Sequence, residues 1–223
     1  MTFVPAAEAG TQLGVTRRRV SDLWRAGELR GRKHSSGLLI DLDSVHEREA
    51  LGSVSGRPWQ EDVVWGVIGA LSGKSAHSPS TVERRIVSND ALTLGRRIAN
   101  SVTTTRFEAR DPERVSRALA LTGESAIDRI DGVSHERLLG KVDVIRGYAR
   151  QPLSQLKEEY DVIESFSGSI IVHAFRSGTV RVQHVTPRAL VAADCLRSTR
   201  TRVRRVGLDA LSSMRETCLT NIM

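Results

Sequence analysis

The sequence predicts an α+β fold in two units, on three observations. Residues 4–45 hold two short helical segments followed by two extended runs. Trp59 to Ser72 carries apolar residues at three- and four-residue steps, the period of a helix. Beyond residue 140 the pattern changes to short alternating runs split by Ser-Gly turns, the mark of strands.

Taken in order, Pro5 to Leu13 reads as a short helix, Gly14-Val15 as a tight turn, and Thr16 as the cap of a second helix running to Arg25. At about 100° per residue, Val20, Leu23 and Trp24 fall on one side of that helix and must face the first. Arg18, Ser21, Asp22 and Arg25 then face outward, with Arg17 and Arg19 on the flanks. Gly27 stands where a left-handed C-terminal cap is wanted. Leu29 to Ile40 reads as two strands joined by a Ser-Ser-Gly turn, which makes a basic hairpin directly after the second helix. Helix, turn, helix and hairpin in this order describe a winged helix-turn-helix, and the sequence places it at 1–56.

Seven Arg or Lys (Arg17, Arg18, Arg19, Arg25, Arg30, Arg32, Lys33) stand against Asp22 and Glu28 over residues 16–34. Guanidinium groups pair bidentately with guanine edges or with phosphate oxygens, so charge gathered on this module points to double-stranded DNA. Thr16, Arg17, Arg18, Arg19, Ser21, Asp22 and Arg25 are the candidate groove-facing residues of the helix. Arg30, Arg32, Lys33 and His34 are those of the hairpin. A module of this size offers a small interface, so two copies, a homodimer on repeated half-sites, are expected on DNA.

Asp43 is placed to cap a third helix, 44–51, and residues 52–58 read as a linker to a second domain at 57–223. There the sequence predicts helices at 59–72, 80–87 and 89–101, a strand around 106–110, and a helix opened by Asp111-Pro112. A strand over 142–148 and a helix from Pro152 to Tyr160 follow. Three extended runs come next, the last two, "SIIVHAF" and "TVRVQHV", forming a β-hairpin. Helices over 187–196 and 199–214 close the chain. The second domain is thus mostly helical with a small β-sheet, the helices lying on one face of it.

Composition sets the bounds. A chain of 223 residues is long enough for two small domains, and with only 4% aromatic residues its core must come from Leu, Val, Ile and Ala. The net charge of +7 favours a polyanionic partner or an acidic protein surface. Arginine outnumbers lysine 29 to 4, which a GC-rich genome explains without mechanism. Cys195 and Cys218 lack a CxxC partner, and the sequence shows neither a signal peptide nor a membrane-length apolar run. The expected compartment is a reducing cytoplasm.

Catalytic chemistry finds no signature. "SGKS" near residue 73 lacks the first half of a phosphate loop. His173 and His184 would face each other across the expected hairpin, near Asp161 and Glu164, yet a third metal ligand is not evident. Glu158, Glu159 and Asp161 around Tyr160 fit a solvated helix end. The chain is expected to be non-enzymatic and without cofactor or metal. A second basic cluster, Arg197, Arg200, Arg202, Arg204 and Arg205, is spaced on a helix to form a cationic face for an acidic partner protein or flanking DNA.

The segments "GVTRRRVSDLWRAGEL" and "RGRKHSSGLLIDLDSV" resemble the winged helix-turn-helix of the MerR and excisionase group, over about a quarter of the chain. MerR activators continue into a long dimerisation helix, and no heptad run follows here. "RPWQEDVVWGVIGALSG" and "VTPRALVAADCL" are similar to segments of actinobacterial helix-turn-helix regulators, and the whole layout resembles antitoxins of the AbiE kind. That likeness implies a repressor that regulates its own operon, paired with a nucleotidyltransferase-type toxin. A mobile-element excisionase and an interaction protein driven by its second domain are the alternatives.

Overall fold

The computed structural model describes residues 2–54, 56–74, 80–130, 144–182 and 184–222. Its class is α+β, with two small sheets. In the first unit, β1 (Phe3–Pro5) leads into α1 (Ala6–Leu13), α2 (Arg17–Arg25), β2 (Gly31–His34), β3 (Gly37–Asp41) and α3 (Leu42–Leu51). The strands form an antiparallel sheet in the order β1-β3-β2, with Phe3 opposite Asp41 and His34 opposite Gly37. Strand β1 is an addition to the sequence reading: three residues are too few to show a period. Helix α3 also begins earlier than expected, because Asp41 and not Asp43 is the cap, its carboxylate accepting from the Asp43 N–H at 3.2 Å. Val4, Ala6, Ala9, Val20, Leu23, Leu29, Ile40 and Val45 form the core of this unit.

The second unit starts with three helices, α4 (Glu61–Leu71), α5 (Ser80–Ser88) and α6 (Ala91–Ala99), the last capped by Asp90. Then come β4 (Val102–Glu108), α7 (Pro112–Ala118), β5 (Leu119–Leu121), a 3-10 segment at Gly123–Arg129 and β6 (Ile145–Ala149). Helix α8 (Leu153–Tyr160), β7 (Ile163–Glu164), β8 (Ile170–Phe175), α9 (Arg188–Cys195) and α10 (Thr201–Ile222) complete it. As read from the sequence, Asp111 caps α7 through the Arg114 N–H, with Pro112 in the first turn. Ser55 of the expected linker, residues 75–79 after "SGK" and the first residues of the 142–148 run lie outside the described residues.

The sheet order is β5-β6-β8-β4-β7, and β6 and β8 run parallel. Two expectations are corrected here. The hairpin of "SIIVHAF" with "TVRVQHV" does not form: β8 already spends one edge on β4 and the other on β6, so no edge is left for residues 179–182. Nor do the helices lie on one face. Tyr148, Phe175 and Val102 pack with α6 and α9, while Phe107, Leu119, Ile170 and Val172 pack with α7 and α8 on the other side. A central strand buried on both faces loses its alternation, and β8 is apolar at nearly every position.

The two units are clamped together. Leu51 at the end of α3 is buried in the main core of the second unit, and Arg96 donates to its carbonyl at 2.7 Å. Asp43 and Glu47 of α3 reach down to Arg106 of β4 and Arg146 of β6 at 2.9 and 2.8 Å. Glu28, just past α2, pairs with Arg176 at 2.9 Å.

Candidate nucleic-acid interface

Helix α2 is placed by its caps. Gly14 ends α1 in the left-handed conformation, φ 65°, and Thr16 opens α2 with its hydroxyl accepting from the Arg19 N–H at 3.2 Å. At the far end, Gly27 takes φ 69° while the Glu28 N–H bonds Leu23 O and the Gly27 N–H bonds Trp24 O, a Schellman closure. Gly27 has a second reason to lack a side chain: a Cβ there would lie 2.8 Å from Cγ2 of Thr103 in β4.

Val20 and Leu23 are buried, and Trp24 donates from Nε1 to Gly31 O at 3.1 Å, which ties the helix to the hairpin. Arg17, Arg18, Arg19 and Arg25 are exposed; Ser21 and Asp22 are half-buried. Ser21 spends its hydroxyl proton on Arg17 O, and Asp22 pairs with Arg25 at 2.9 Å. Arg25 is thus partly neutralised by its neighbour, whereas Arg17, Arg18 and Arg19 have no carboxylate partner among the described residues.

The hairpin continues this surface. Arg32, Lys33 and His34 are exposed, with Arg32 stacked 4.8 Å from the Phe3 ring centroid. His34 Nδ1 lies 3.0 Å from Ser36 Oγ and braces the Ser35-Ser36 turn. The Arg17 guanidinium reaches that turn, 3.8 Å from where a Gly37 Cβ would stand. One cationic strip therefore runs from the first turn of α2 onto the hairpin.

Arg30 does not belong to the strip. It is 6% exposed and bonded to Asp41 and Glu47, each at 2.9 Å. Burial alone would lower the guanidinium pKa, but Glu47 and Asp41 raise it above the ordinary value. Burial likewise would raise the Glu47 carboxyl, yet Arg146 and Arg30 hold it far below the usual carboxylate range. Arg30, Asp41, Glu47 and Arg146 form a buried charged chain between hairpin, α3 and the large sheet. Its signal in the sequence is Glu47, which shares the inward face of α3 with Ser44 and Leu51. A carboxylate there demands a buried cation.

The second basic cluster is also divided. Arg197 is 7% exposed and donates from Nη2 to Ala99 O, so it faces the core. Arg204 is half-buried and donates to Ser198 O at 2.8 Å. Arg200, Arg202 and Arg205 are exposed, the last 3.8 Å from Asp209. The chain leaves α9 at Leu196 and restarts at Thr201, so Arg197 falls in the break between the two helices, off the face of α10, and turns inward.

His173 and His184 are not neighbours across a hairpin: His173 is buried on β8, opposite Thr104 of β4 and beside Tyr148 of β6, while His184 is exposed. Burial pushes the His173 pKa well down, and Arg197 and Arg146 add to this. Behind it, buried Asp194 accepts from Thr122 at 2.7 Å and Tyr148 at 2.9 Å, and burial raises its pKa. Among the described residues no group of three or more His, Cys, Asp or Glu could hold a metal ion, and no helix is long and apolar enough to cross a membrane. No protein family, curated protein or solved structure matches this chain.

Proposed function

We propose that residues 3–51 are a winged helix-turn-helix that binds double-stranded DNA, and that the protein is a sequence-specific regulator repressing its own operon. The observation that carries this is the strip of Arg17, Arg18 and Arg19 on the capped first turn of α2, continued by Arg32 and Lys33 on the hairpin, all exposed. A helix entering the major groove presents its N-terminal residues to base edges first, and guanidinium is suited to guanine O6/N7 and to phosphate. Thr16 fixes the start of the helix, Ser21 and Arg25 stand one and two turns further along, and Arg32, Lys33 and His34 grip the backbone or minor groove. If each of the five Arg and Lys of the strip neutralises one phosphate, log K falls against log salt with a slope of roughly −4 to −5 per module. Two modules on repeated half-sites double that slope, and a homodimer is the expected DNA-bound form.

The test is fluorescence anisotropy at about 150 mM salt on the DNA upstream of the protein's own gene, beside a random duplex of equal length. Binding tighter by at least about a hundredfold to the promoter, lost in an Arg17→Ala/Arg18→Ala double variant, is the expected result. Weak and equal binding to both duplexes overturns the reading. The antitoxin role is an extension of the same proposal. It rests on the likeness of the layout to AbiE-type antitoxins; in the second arginine cluster Arg197 is buried and Arg204 turned to Ser198 O, so Arg200, Arg202 and Arg205 are the exposed members proposed as the surface for a toxin. Co-purification of a nucleotidyltransferase-type protein with the tagged chain, lost on replacing those three, tests it.

A further inference from the structure

The face of α2 turned away from the core is chemically one-sided. At about 100° per residue, Arg18, Ser21, Asp22 and Arg25 lie opposite Val20 and Leu23, with Arg17 and Arg19 on the two flanks. Neither α2 nor the hairpin holds an Asn or Gln, and the single amide side chain of residues 1–54 is Gln12 of α1, which donates to Glu49 at 3.2 Å. Bidentate pairing with adenine needs such an amide, and reading thymine needs apolar contact with its methyl group. Val20 and Leu23 are buried and Trp24 is tied to the hairpin, so the outward face of α2 offers neither. What it offers is guanidinium, which matches O6 and N7 of guanine.

Asp22 sharpens the selection. A carboxylate on a surface that meets phosphate is repelled unless its charge is balanced, and Asp22 pairs with Arg25 at 2.9 Å. The bond engages Nη1 of Arg25, so the rest of the guanidinium fork stays available while the side chain is held in one orientation. Holding Arg25 beforehand lowers the rotamer entropy lost when it settles on a base. Ser21 has spent its proton on Arg17 O and can only accept, as from the N4 amine of cytosine. Arg17, turned toward the hairpin, and Arg19, on the other flank, are left for phosphates bordering the groove. Arg18 and Arg25 stand seven residues apart, which returns them to the same side of the helix and separates them by about 10 Å along its axis. Base pairs stack about 3.4 Å apart, so that distance spans about three steps.

We propose that each copy of α2 selects a half-site with two G·C pairs about three base pairs apart, Arg18 taking one guanine and Arg25, held by Asp22, the other. Arg17 and Arg19 clamp phosphates and carry no sequence preference. The inference rests on the DNA-binding reading and names what that surface selects.

The experiment incubates the full chain, at about 150 mM salt, with a duplex pool randomised over about 20 base pairs, and the retained fraction is sequenced. Two G·C pairs at the stated spacing are expected in each enriched half-site. Replacing either guanine by 7-deazaguanine, which lacks the N7 acceptor, should weaken binding by at least about fivefold in fluorescence anisotropy. Arg18→Ala should erase the preference at one of the two positions, and both Arg25→Ala and Asp22→Ala that at the other. Arg17→Ala should weaken selected and random duplexes equally. Thermal melts establish that each variant is folded. A·T pairs at either position, affinity indifferent to 7-deazaguanine, or both preferences intact in Asp22→Ala overturns the inference and leaves the DNA-binding reading standing. Retention of no duplex at all overturns the DNA-binding reading, and this inference with it.

Discussion

Arg146 donates to Glu47 at 2.8 Å across 99 residues of sequence, and Glu47 offers its other oxygen to Arg30 at 2.9 Å. One buried carboxylate therefore holds the basic hairpin to the large sheet: it is the carboxylate partner of Arg146 and shares Arg30 with Asp41. Replacing it strands Arg146 and leaves Arg30 with Asp41 alone: Glu47→Gln should cost about 3–5 kcal/mol of stability, read as a shift in the urea midpoint. A loss under about 1 kcal/mol would show that the pair is solvated and does not clamp the units.

Arg18 and Arg30 both count among the basic residues of the N-terminal unit, yet one is exposed and the other buried. Arg18→Ala should leave the melting temperature within a few degrees and cost about 1–3 kcal/mol at the cognate site if it contacts a base. Arg30→Met should do the reverse, destabilising the fold through the orphaned Asp41 carboxylate and the half-satisfied Glu47. Anisotropy and thermal melting on the same two variants separate the roles, and equal effects on both readouts would erase the distinction.

Thr16→Ala removes the acceptor for the Arg19 N–H. A loss of about 1 kcal/mol is expected, restored in large part by Thr16→Ser or Thr16→Asp, which keep a side-chain oxygen at the cap. Chemical denaturation of the three variants measures it, and identical midpoints for Ala and Ser would mean that the cap contributes nothing.

The buried His173 makes stability depend on pH. Its folded pKa lies well below the ordinary 6.5 because of burial, with Arg197, Arg146 and Arg30 adding to the shift and Glu47 opposing it. The unfolded chain then takes up a proton that the folded chain refuses. Stability is full above about pH 6.5 and falls below it, by up to about 1.4 kcal/mol per pH unit. Glu47 adds a second loss of the carboxylate kind, present above its unfolded pKa of about 4.5 and fading as pH drops below that. His173→Phe, similar in shape and without a proton to take, should flatten the first limb in urea melts between about pH 6.5 and 5 and leave the second. An unchanged profile in that window would refute the assignment.

Local chemistry was legible in the sequence, and non-local pairing was not. Thr16, Gly27 and Asp111-Pro112 announce helix ends because a cap acts within four residues of itself. The outward face of α2 followed from a period of 3.6, which needs no knowledge of what lies beyond. The strand at residues 170–175 is visible as well, but proximity in sequence points to the wrong partner: the sheet joins it to strands about 25 and 70 residues earlier. Arg30 reads as a surface residue for the same reason. Nothing adjacent to it marks it as different from Arg32; the difference lies in Asp41, Glu47 and Thr104, which only the fold brings close.

The long separation of Glu47 from Arg146 has a consequence for biosynthesis. Translation at about 5–20 residues per second leaves roughly 5–20 s between the emergence of the acid and that of its distant base. During that interval Asp41, Arg30 and Glu47 can already bond to one another, and the N-terminal module has its own small core to close. The face of α3 destined for the sheet stays wet until β6 arrives. A nascent chain therefore presents its cationic strip complete while the seat beneath it is still unfinished.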